Sequence, residues 1–251
     1  MKLVLGRVFR VRPAPLPLLR GLRRIGDRKD GLAPRTELVK RSGRALSDPF
    51  LAEHLAEKQF GHWTASAQAM NLLEREIDER RPNRILEFGG GLSTACLARY
   101  VDVRTGTEGG PRIVSIDEST EFSGETRQLL VELGLESAAT LYHAPLELQH
   151  VGGHEALTYV LSSSVIAELE RVPPDFVFVD GPGTAAGRYG RYAALVLALP
   201  YLADGCRFYL DDALRGSALE YAILWSKLPG IRIRGIAFAG HGLLFGLYKA
   251  T

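Results

Sequence analysis

Short apolar runs alternate with amphipathic segments through most of the chain. The runs are rich in β-branched and aromatic residues and stand at positions 85–88, 113–116, 139–143, 176–179 and 208–210. Between and after them, apolar residues recur with helical spacing at positions 94–100, 126–133, 164–171, 191–202 and 218–227. Strands that are apolar throughout and alternate with helices predict a parallel sheet with helices on both faces.

The segments on either side of this alternation have different patterns. Positions 231–239 and 243–248 are two apolar runs separated by the turn GHG, which predicts an antiparallel hairpin at one edge of the sheet. Upstream, positions 51–60 and 67–81 predict two helices. The chain therefore divides into three predicted parts: an N-terminal arm at 1–44, a helical segment at 45–82 and an α/β domain at 83–251.

A glycine-rich turn, ILEFGGGLST, ends the first predicted strand. Gly89 and Gly91 match the first two glycines of a dinucleotide-binding fingerprint, but Thr94 stands where the third is expected. A phosphate-binding P-loop is also disfavoured, because no Lys-Ser/Thr pair follows the glycines. The remaining pattern places the carboxylate of Glu87 where it can accept from a ligand ammonium. Asp117, at the tip of the second strand, suits a ribose diol.

These residues resemble the class I S-adenosylmethionine-dependent methyltransferases. LEFGGGLST is similar to the first motif of that family, in the variant with serine in place of the last glycine. The resemblance implies a Rossmann-like, doubly wound α/β fold with a seven-stranded, mostly parallel sheet, an antiparallel last strand and an N-terminal helical extension. It implies S-adenosylmethionine as the cofactor and methylation of a hydroxyl oxygen on a small molecule, such as a sugar or a secondary metabolite.

The resemblance also implies which residues bind the cofactor, with the helices at 45–82 covering it. The expected contacts are Glu87, Gly89 and Gly91 at the methionine part, Ser93 at the methionine part or the ribose, Asp117 at the ribose, and His143 and Ala144 at the adenine, with Asp180 completing the set.

Three aspartates follow the fourth and fifth predicted strands, Asp180 after the former and Asp211 and Asp212 after the latter. The ends of neighbouring strands meet in one cleft, and like charges that close need a cation or a shared proton. Oxygen ligands suit Mg²⁺, and the pattern resembles metal-dependent O-methyltransferases of the catechol type and the cephalosporin-hydroxylase-like group. A metal-free site stays open as the alternative, with Asp180 or Asp212 as catalytic base or with Asp212 capping the next helix.

Six weaker candidates lie near the expected cleft. Thr64 or Ser66 is placed to contact the methionine carboxylate, and Trp63 is expected in the core or a lid. His241 lies in the terminal hairpin, either lining the acceptor pocket or exposed, while Arg188 and Arg191 either bind an anionic acceptor or carry solvated charge.

The distribution of charge and the placement of the two cysteines limit the kinds of partner and the location that the sequence favours. Residues 1–44 hold 13 Lys/Arg and 3 Asp/Glu, so the arm carries +10 and the remaining residues −8 against the net charge of +2. The acidic domain argues against a nucleic-acid partner and leaves a small-molecule acceptor. The arm is interpreted as solvated, as a contact in a homo-oligomer, or as a tether to an acidic surface. Cys96 and Cys206 lack metal-ligand spacing, and no apolar run reaches transmembrane length, so a cytoplasmic protein is expected.

Two rival functions stay open. An aminopropyl transferase uses the same scaffold with a decarboxylated cofactor, and a non-catalytic module would bind the cofactor, or a partner, without turnover. Base N-methylation is disfavoured because Asp180-Gly181-Pro182-Gly183 lacks the Asn/Asp-Pro-Pro-aromatic run typical of that chemistry.

Overall fold

A computed structural model describes residues 45–61, 64–105, 112–215 and 218–250. The arm at 1–44 and Trp63 lie outside the described residues. The helices are α1 (Pro49–His54), α2 (Ala67–Arg80), α3 (Leu92–Thr105), α4 (Thr120–Glu132), α5 (Ser163–Arg171), α6 (Gly190–Ala198) and α7 (Ala218–Trp225). The strands are β1 (Ile85–Phe88), β2 (Ile113–Asp117), β3 (Ala139–His143), β4 (Leu146–Val151), β5 (His154–Tyr159), β6 (Phe176–Val179), β7 (Arg207–Leu210), β8 (Ile231–Ala237) and β9 (Leu243–Tyr248).

Seven of these strands form one sheet in the order β3-β2-β1-β6-β7-β9-β8. The pairs from β3 to β7 are parallel, whereas β9 runs antiparallel to both β7 and β8. This confirms the predicted Rossmann-like, mostly parallel sheet with an antiparallel last strand. The predicted terminal hairpin is also confirmed, and within it β9 lies inside the sheet while β8 forms the edge.

The central strands are apolar on both faces because helices cover both. All four residues of β1 and of β6 are buried, as are all five of β2. Ile85 packs in a cluster with residues of α2 and α3, whereas Leu86 and Phe88 pack in the cluster on the opposite face with residues of α5 and α6. The helices predicted upstream of β1 therefore complete one of the two covering layers. Among the described residues, no helix combines the length and apolarity needed to cross a membrane.

Several helix boundaries differ from the predicted ones, and local sequence features explain two of these differences. Helix α4 begins at Thr120 rather than 126, because the side chain of Ser119 caps it by accepting the N–H of Phe122. Helix α6 ends at Ala198, and a short 3₁₀ turn at Leu199–Tyr201, which contains Pro200, replaces the end of the predicted helix.

A hairpin of β4 and β5 forms a separate two-stranded sheet that the apolar pattern does not predict. Val151 pairs with His154 across a two-residue turn, in which Gly152 and Gly153 both have positive φ. That geometry belongs to a type I′ hairpin turn, for which a Gly-Gly pair is a sequence signal. The hairpin packs on α6, where the hydroxyl of Tyr192 donates to the carbonyl oxygen of Gly152.

Candidate functional site

The turn after β1 lies where the order of the parallel strands reverses, since β1 pairs with β2 on one side and with β6 on the other. Ligands of open α/β sheets bind outside the strand ends at such a point. Gly89 has φ +89°, and a Cβ there would lie 2.5 Å from the backbone nitrogen of Gly181, after β6. Gly91 has φ +148°, and a Cβ there would meet none of the described residues' atoms within 4 Å. Gly89 is therefore required for packing, while Gly91 faces space that the described residues leave free.

Glu87 lies beneath this turn and has no exposed surface. Its carboxylate accepts hydrogen bonds from the hydroxyls of Ser93 at 2.7 Å, Thr94 at 2.5 Å and Ser115 at 2.7 Å. Burial raises the pKa of Glu87 to about 7, against the lowering effect of these hydroxyls. The carboxylate thus ties together β1, β2 and the first turn of α3.

This arrangement bears on two expected cofactor contacts. Glu87 offers no surface to a ligand, and Ser93, only 4% exposed, gives its hydroxyl to Glu87. Direct contact of either side chain with the cofactor stays a prediction that this geometry does not support. Thr94, which sequence reasoning treated only as a missing glycine, donates to Glu87 and accepts the N–H of Gly91 at 3.0 Å. The hydroxyl residue in place of the third fingerprint glycine was the feature of the sequence that pointed to this role of Thr94.

Asp117 ends β2 beside the glycine turn. Its Oδ2 accepts the N–H of Gly90 at 2.8 Å and its Oδ1 accepts the N–H of Ser119 at 2.7 Å. Burial raises the pKa of Asp117, while these two backbone hydrogen bonds lower it. Each carboxylate oxygen keeps a further lone pair that can accept a hydroxyl. The position suits a diol whose two hydroxyls both donate.

The register of β3 sets the positions of His143 and Ala144, the two residues expected at the adenine. His143 pairs opposite Asp117, is exposed, and has Nε2 3.2 Å from the carbonyl oxygen of Glu118. Ala144 is buried and its N–H donates to the carbonyl oxygen of Asp117. The structure thus places His143 at the surface beside Asp117 and gives Ala144 a backbone role there.

Asp180, Asp211 and Asp212 come together as the strand order predicts. One carboxylate oxygen from each lies within 4.8 Å of the others. Burial raises the pKa of Asp180, and the positive charge of Arg191 opposes this rise. Burial raises the pKa of Asp211 well above its usual value, and the charges of Asp180 and Asp212 add to the rise. Two arginines, Arg191 and Arg215, contact this cluster.

Asp212 does not cap the next helix, because α7 begins only at Ala218. Its carboxylate instead lies 3.4 Å from Arg191 and 3.1 Å from Arg215. The predicted alternative in which Asp212 is a helix cap is therefore wrong. Its backbone also lies in the left-handed region, at φ +57°, which is uncommon for a residue other than glycine.

Glu118 joins three elements at the cleft, and the sequence reasoning did not single it out. Its carboxylate accepts the hydroxyl of Tyr159 at 3.0 Å and the N–H of Gly183 at 2.9 Å. Glu118 follows β2, Tyr159 ends β5, and Gly183 lies in the loop after β6. The unpredicted hairpin therefore supports the loop that begins at Asp180. An acidic residue directly after Asp117 was the only sequence signal.

The weaker candidates have local partners. Ser66 caps α2 by accepting the N–H of Ala69, and the hydroxyl of Thr64 bonds carbonyl oxygens nearby. His241 is exposed in the turn between β8 and β9. Arg188 pairs with Glu220 at 2.7 Å. Arg191 is not solvated charge: its side chain is 17% exposed and faces the aspartates.

Comparison with known proteins identifies the family. A model of the family described as "Methyltransferase domain" matches residues 86–213, which span just over half of the chain and run from β1 to the aspartates after β7. The chain belongs to this family. The methyltransferase identity implied by the glycine turn and the strand-end carboxylates is therefore confirmed. No curated protein sequence matches this methyltransferase with significance.

Solved structures share the fold of this methyltransferase. The O-methyltransferase TomG from Streptomyces achromogenes, in complex with SAM, is 18% identical over 87% of this chain and 92% of its own, with a TM-score of 0.55. An O-methyltransferase from Bacillus cereus, in complex with SAH, is 17% identical over 92% and 97%, with a TM-score of 0.54. An SAH-bound methyltransferase from Podospora anserina is 16% identical over 98% and 100%, with a TM-score of 0.53. At these identities the likeness shows the fold alone.

Proposed function

We propose that this methyltransferase transfers a methyl group from S-adenosylmethionine to a hydroxyl oxygen of a small molecule. The observation that carries the proposal is the contact between the glycine turn and the aspartate loop. Gly89 packs directly against Gly181, so the turn expected to hold the cofactor adjoins Asp180. Two of the three structures compared are of O-methyltransferases, and all three hold SAM or SAH, which supports this choice of cofactor and acceptor.

The residues divide between binding and chemistry. Asp117 would accept the ribose hydroxyls, and the free space at Gly91 would admit the methionine part. His143, exposed beside Asp117, would lie against the adenine. When bound, the cofactor supplies an electrophilic methyl group on a sulfonium, so the protein has to provide an oxygen nucleophile held in line with it.

Asp180 is the residue proposed to accept the proton of the acceptor hydroxyl. Burial raises its pKa, which makes this carboxylate a stronger base than an exposed aspartate. Asp212 is the second candidate, although it contacts two arginines where Asp180 contacts one. Asp180 would take the proton of the acceptor hydroxyl as its oxygen becomes the nucleophile, and a bound cofactor would supply the methyl group by cleavage of its methyl–sulfur bond.

The same carboxylates were expected to hold Mg²⁺, and their oxygens suit that ion in kind. Their surroundings do not fit it, because the guanidinium of Arg191 already contacts Asp180 and Asp212. No step of the proposed reaction therefore passes through a metal.

Calorimetric titration with S-adenosylhomocysteine tests the cofactor assignment. We expect binding with a Kd on the order of micromolar, abolished by Asp117→Ala and retained by Glu170→Ala, which removes an exposed carboxylate on α5. A panel of hydroxyl compounds with methyl-labelled S-adenosylmethionine then tests the reaction, and mass analysis distinguishes methyl from aminopropyl products. Absence of binding in the wild-type protein would contradict the proposal, and binding without any labelled product would favour the non-catalytic module.

A further inference from the structure

Arg191 is largely buried and faces the aspartate cluster, although one interpretation of the sequence was a solvated charge. It is the second residue of α6, and its guanidinium is directed at the loops that follow β6 and β7. Nη2 lies 3.2 Å from Oδ1 of Asp180, and Nη1 lies 3.4 Å from Oδ2 of Asp212. Nε donates to the carbonyl oxygen of Pro182 at 3.3 Å, and Nη1 is 3.5 Å from that of Asp211. All three nitrogens of the guanidinium therefore face oxygens of the aspartate loops.

The shape of the guanidinium explains how one side chain serves two carboxylates. Its planar fork presents donors in two directions, whereas the ammonium of a lysine is a compact point charge. The fork contacts the carboxylates of Asp180 and Asp212, on loops that leave two neighbouring parallel strands. The separation of the two carboxylates is thus set from α6, a third element.

Two arginines already balance part of the negative charge of the aspartate cluster, so a divalent ion is not needed to hold the carboxylates together. Three carboxylates within 4.8 Å of one another need positive charge or a proton to stay together. Arg191 supplies one positive charge inside the cluster, and Arg215 supplies a second at 3.1 Å from Asp212. A divalent cation bound to Asp180 and Asp212 would lie beside the guanidinium at short range, where like charges repel strongly in a partly buried site.

We propose that Arg191 is the built-in cation of the Asp180/Asp211/Asp212 cluster, which excludes a divalent metal and positions Asp180 for the acceptor. The exclusion of metal stands on the geometry of the cluster alone. The positioning of Asp180 rests on the proposed function, since it gives Arg191 a part in methyl transfer. Arg191 is in this sense a positioning residue, because it acts through Asp180.

Titration of the full-length protein with Mn²⁺, followed by electron paramagnetic resonance of the free ion, tests the exclusion. We expect the wild-type protein to leave Mn²⁺ free, and Arg191→Gln to gain a site that binds it at least about tenfold more tightly. Arg188→Gln is the matched control, since it removes an arginine that pairs with Glu220 instead. Wild-type binding of Mn²⁺ that is lost in Asp180→Asn would overturn the proposal. An unchanged Mn²⁺ titration of folded Arg191→Gln would overturn it as well.

A second variant covers the case in which Arg191→Gln does not fold. Arg191→Lys keeps the charge and loses the fork, so we expect it still to exclude Mn²⁺ while lowering kcat and leaving the affinity for S-adenosylhomocysteine unchanged. Binding of Mn²⁺ by Arg191→Lys would contradict the role of Arg191 as the built-in cation. A kcat of Arg191→Lys equal to that of the wild type would contradict its positioning role. Because the Mn²⁺ titration uses neither cofactor nor acceptor, failure of the proposed function, seen as no S-adenosylhomocysteine binding or no labelled product, would leave the Mn²⁺ result standing.

Discussion

The buried carboxyl of Glu87 makes the stability of the protein depend on pH in an unusual direction. Burial raises the pKa of Glu87 from 4.5 to about 7, so the folded protein holds this proton more tightly than the unfolded chain does. Between these two values the folded state binds more protons, and the free energy of unfolding falls as pH rises. One pKa unit corresponds to about 1.4 kcal/mol, so the contribution lost between about pH 5 and about pH 8 is about 2–3 kcal/mol.

Glu87→Gln isolates this contribution, because glutamine keeps the shape and remains neutral. Its amide can accept from the hydroxyls of Ser93, Thr94 and Ser115 through oxygen and donate to them through nitrogen. Urea unfolding of the variant and the wild type at both pH values gives the difference in unfolding free energy. We expect that difference, variant minus wild type, to rise by about 2–3 kcal/mol from about pH 5 to about pH 8.

Subtraction removes the effect of every other titrating group that the two proteins share. Glu170→Gln makes the same chemical change at an exposed carboxyl on α5 and serves as the control. If the Glu87→Gln difference did not change between the two pH values, Glu87 would titrate alike in the folded and unfolded states. The account of a carboxylate buried under the glycine turn would then be refuted.

Three further predictions concern the cleft. Gly89→Ala forces a Cβ against backbone and should cost at least about 3 kcal/mol of stability in urea unfolding. Gly91→Ala places its Cβ away from the described atoms, so it should cost about 1–2 kcal/mol and chiefly weaken S-adenosylhomocysteine binding. Equal losses of stability in the two variants would argue against this distinction. Asp117→Asn should weaken S-adenosylhomocysteine binding by roughly tenfold or more, since a charged acceptor is lost, and an unchanged calorimetric Kd would remove Asp117 from the cofactor site. Asp180→Asn should lower kcat by about 10²–10⁴ with cofactor affinity retained, and a larger effect of Asp212→Asn would identify Asp212 as the base.

The central strands β1, β2 and β6 could be predicted closely because burial on both faces leaves them mostly apolar. The bounds of β1, β3, β6 and β9 match the predicted runs. The β4–β5 hairpin was missed because polar residues interrupt both strands and β4 is largely exposed, so that only the Gly-Gly turn marked it. The start of α4 was missed since its first turn lacks apolar spacing and depends on the cap at Ser119.

Some features of the candidate site could likewise be predicted from the sequence, and others could not. The meeting of Asp180, Asp211 and Asp212 was predictable, because the ends of adjacent parallel strands lie together whatever the side chains around them. The role of Arg191 was not predictable, because a charge at the start of a helix has no pattern that says which loop it faces. The three hydroxyls around Glu87 were equally hidden, since β1, α3 and β2 bring them together only in the folded sheet.

The position of β9 has a consequence for the order in which the protein is made. β9 lies between β7 and β8 although it follows both along the chain. During synthesis, β8 therefore emerges before the one strand of the main sheet to which it hydrogen-bonds, and the outer edge of β7 stays open for the same interval. The edge closes when β9 inserts and both ladders form together. A nascent chain that stalls before Leu243 thus leaves β7 with an unpaired edge and β8 with no partner in the sheet, a form exposed to aggregation until the last strand arrives.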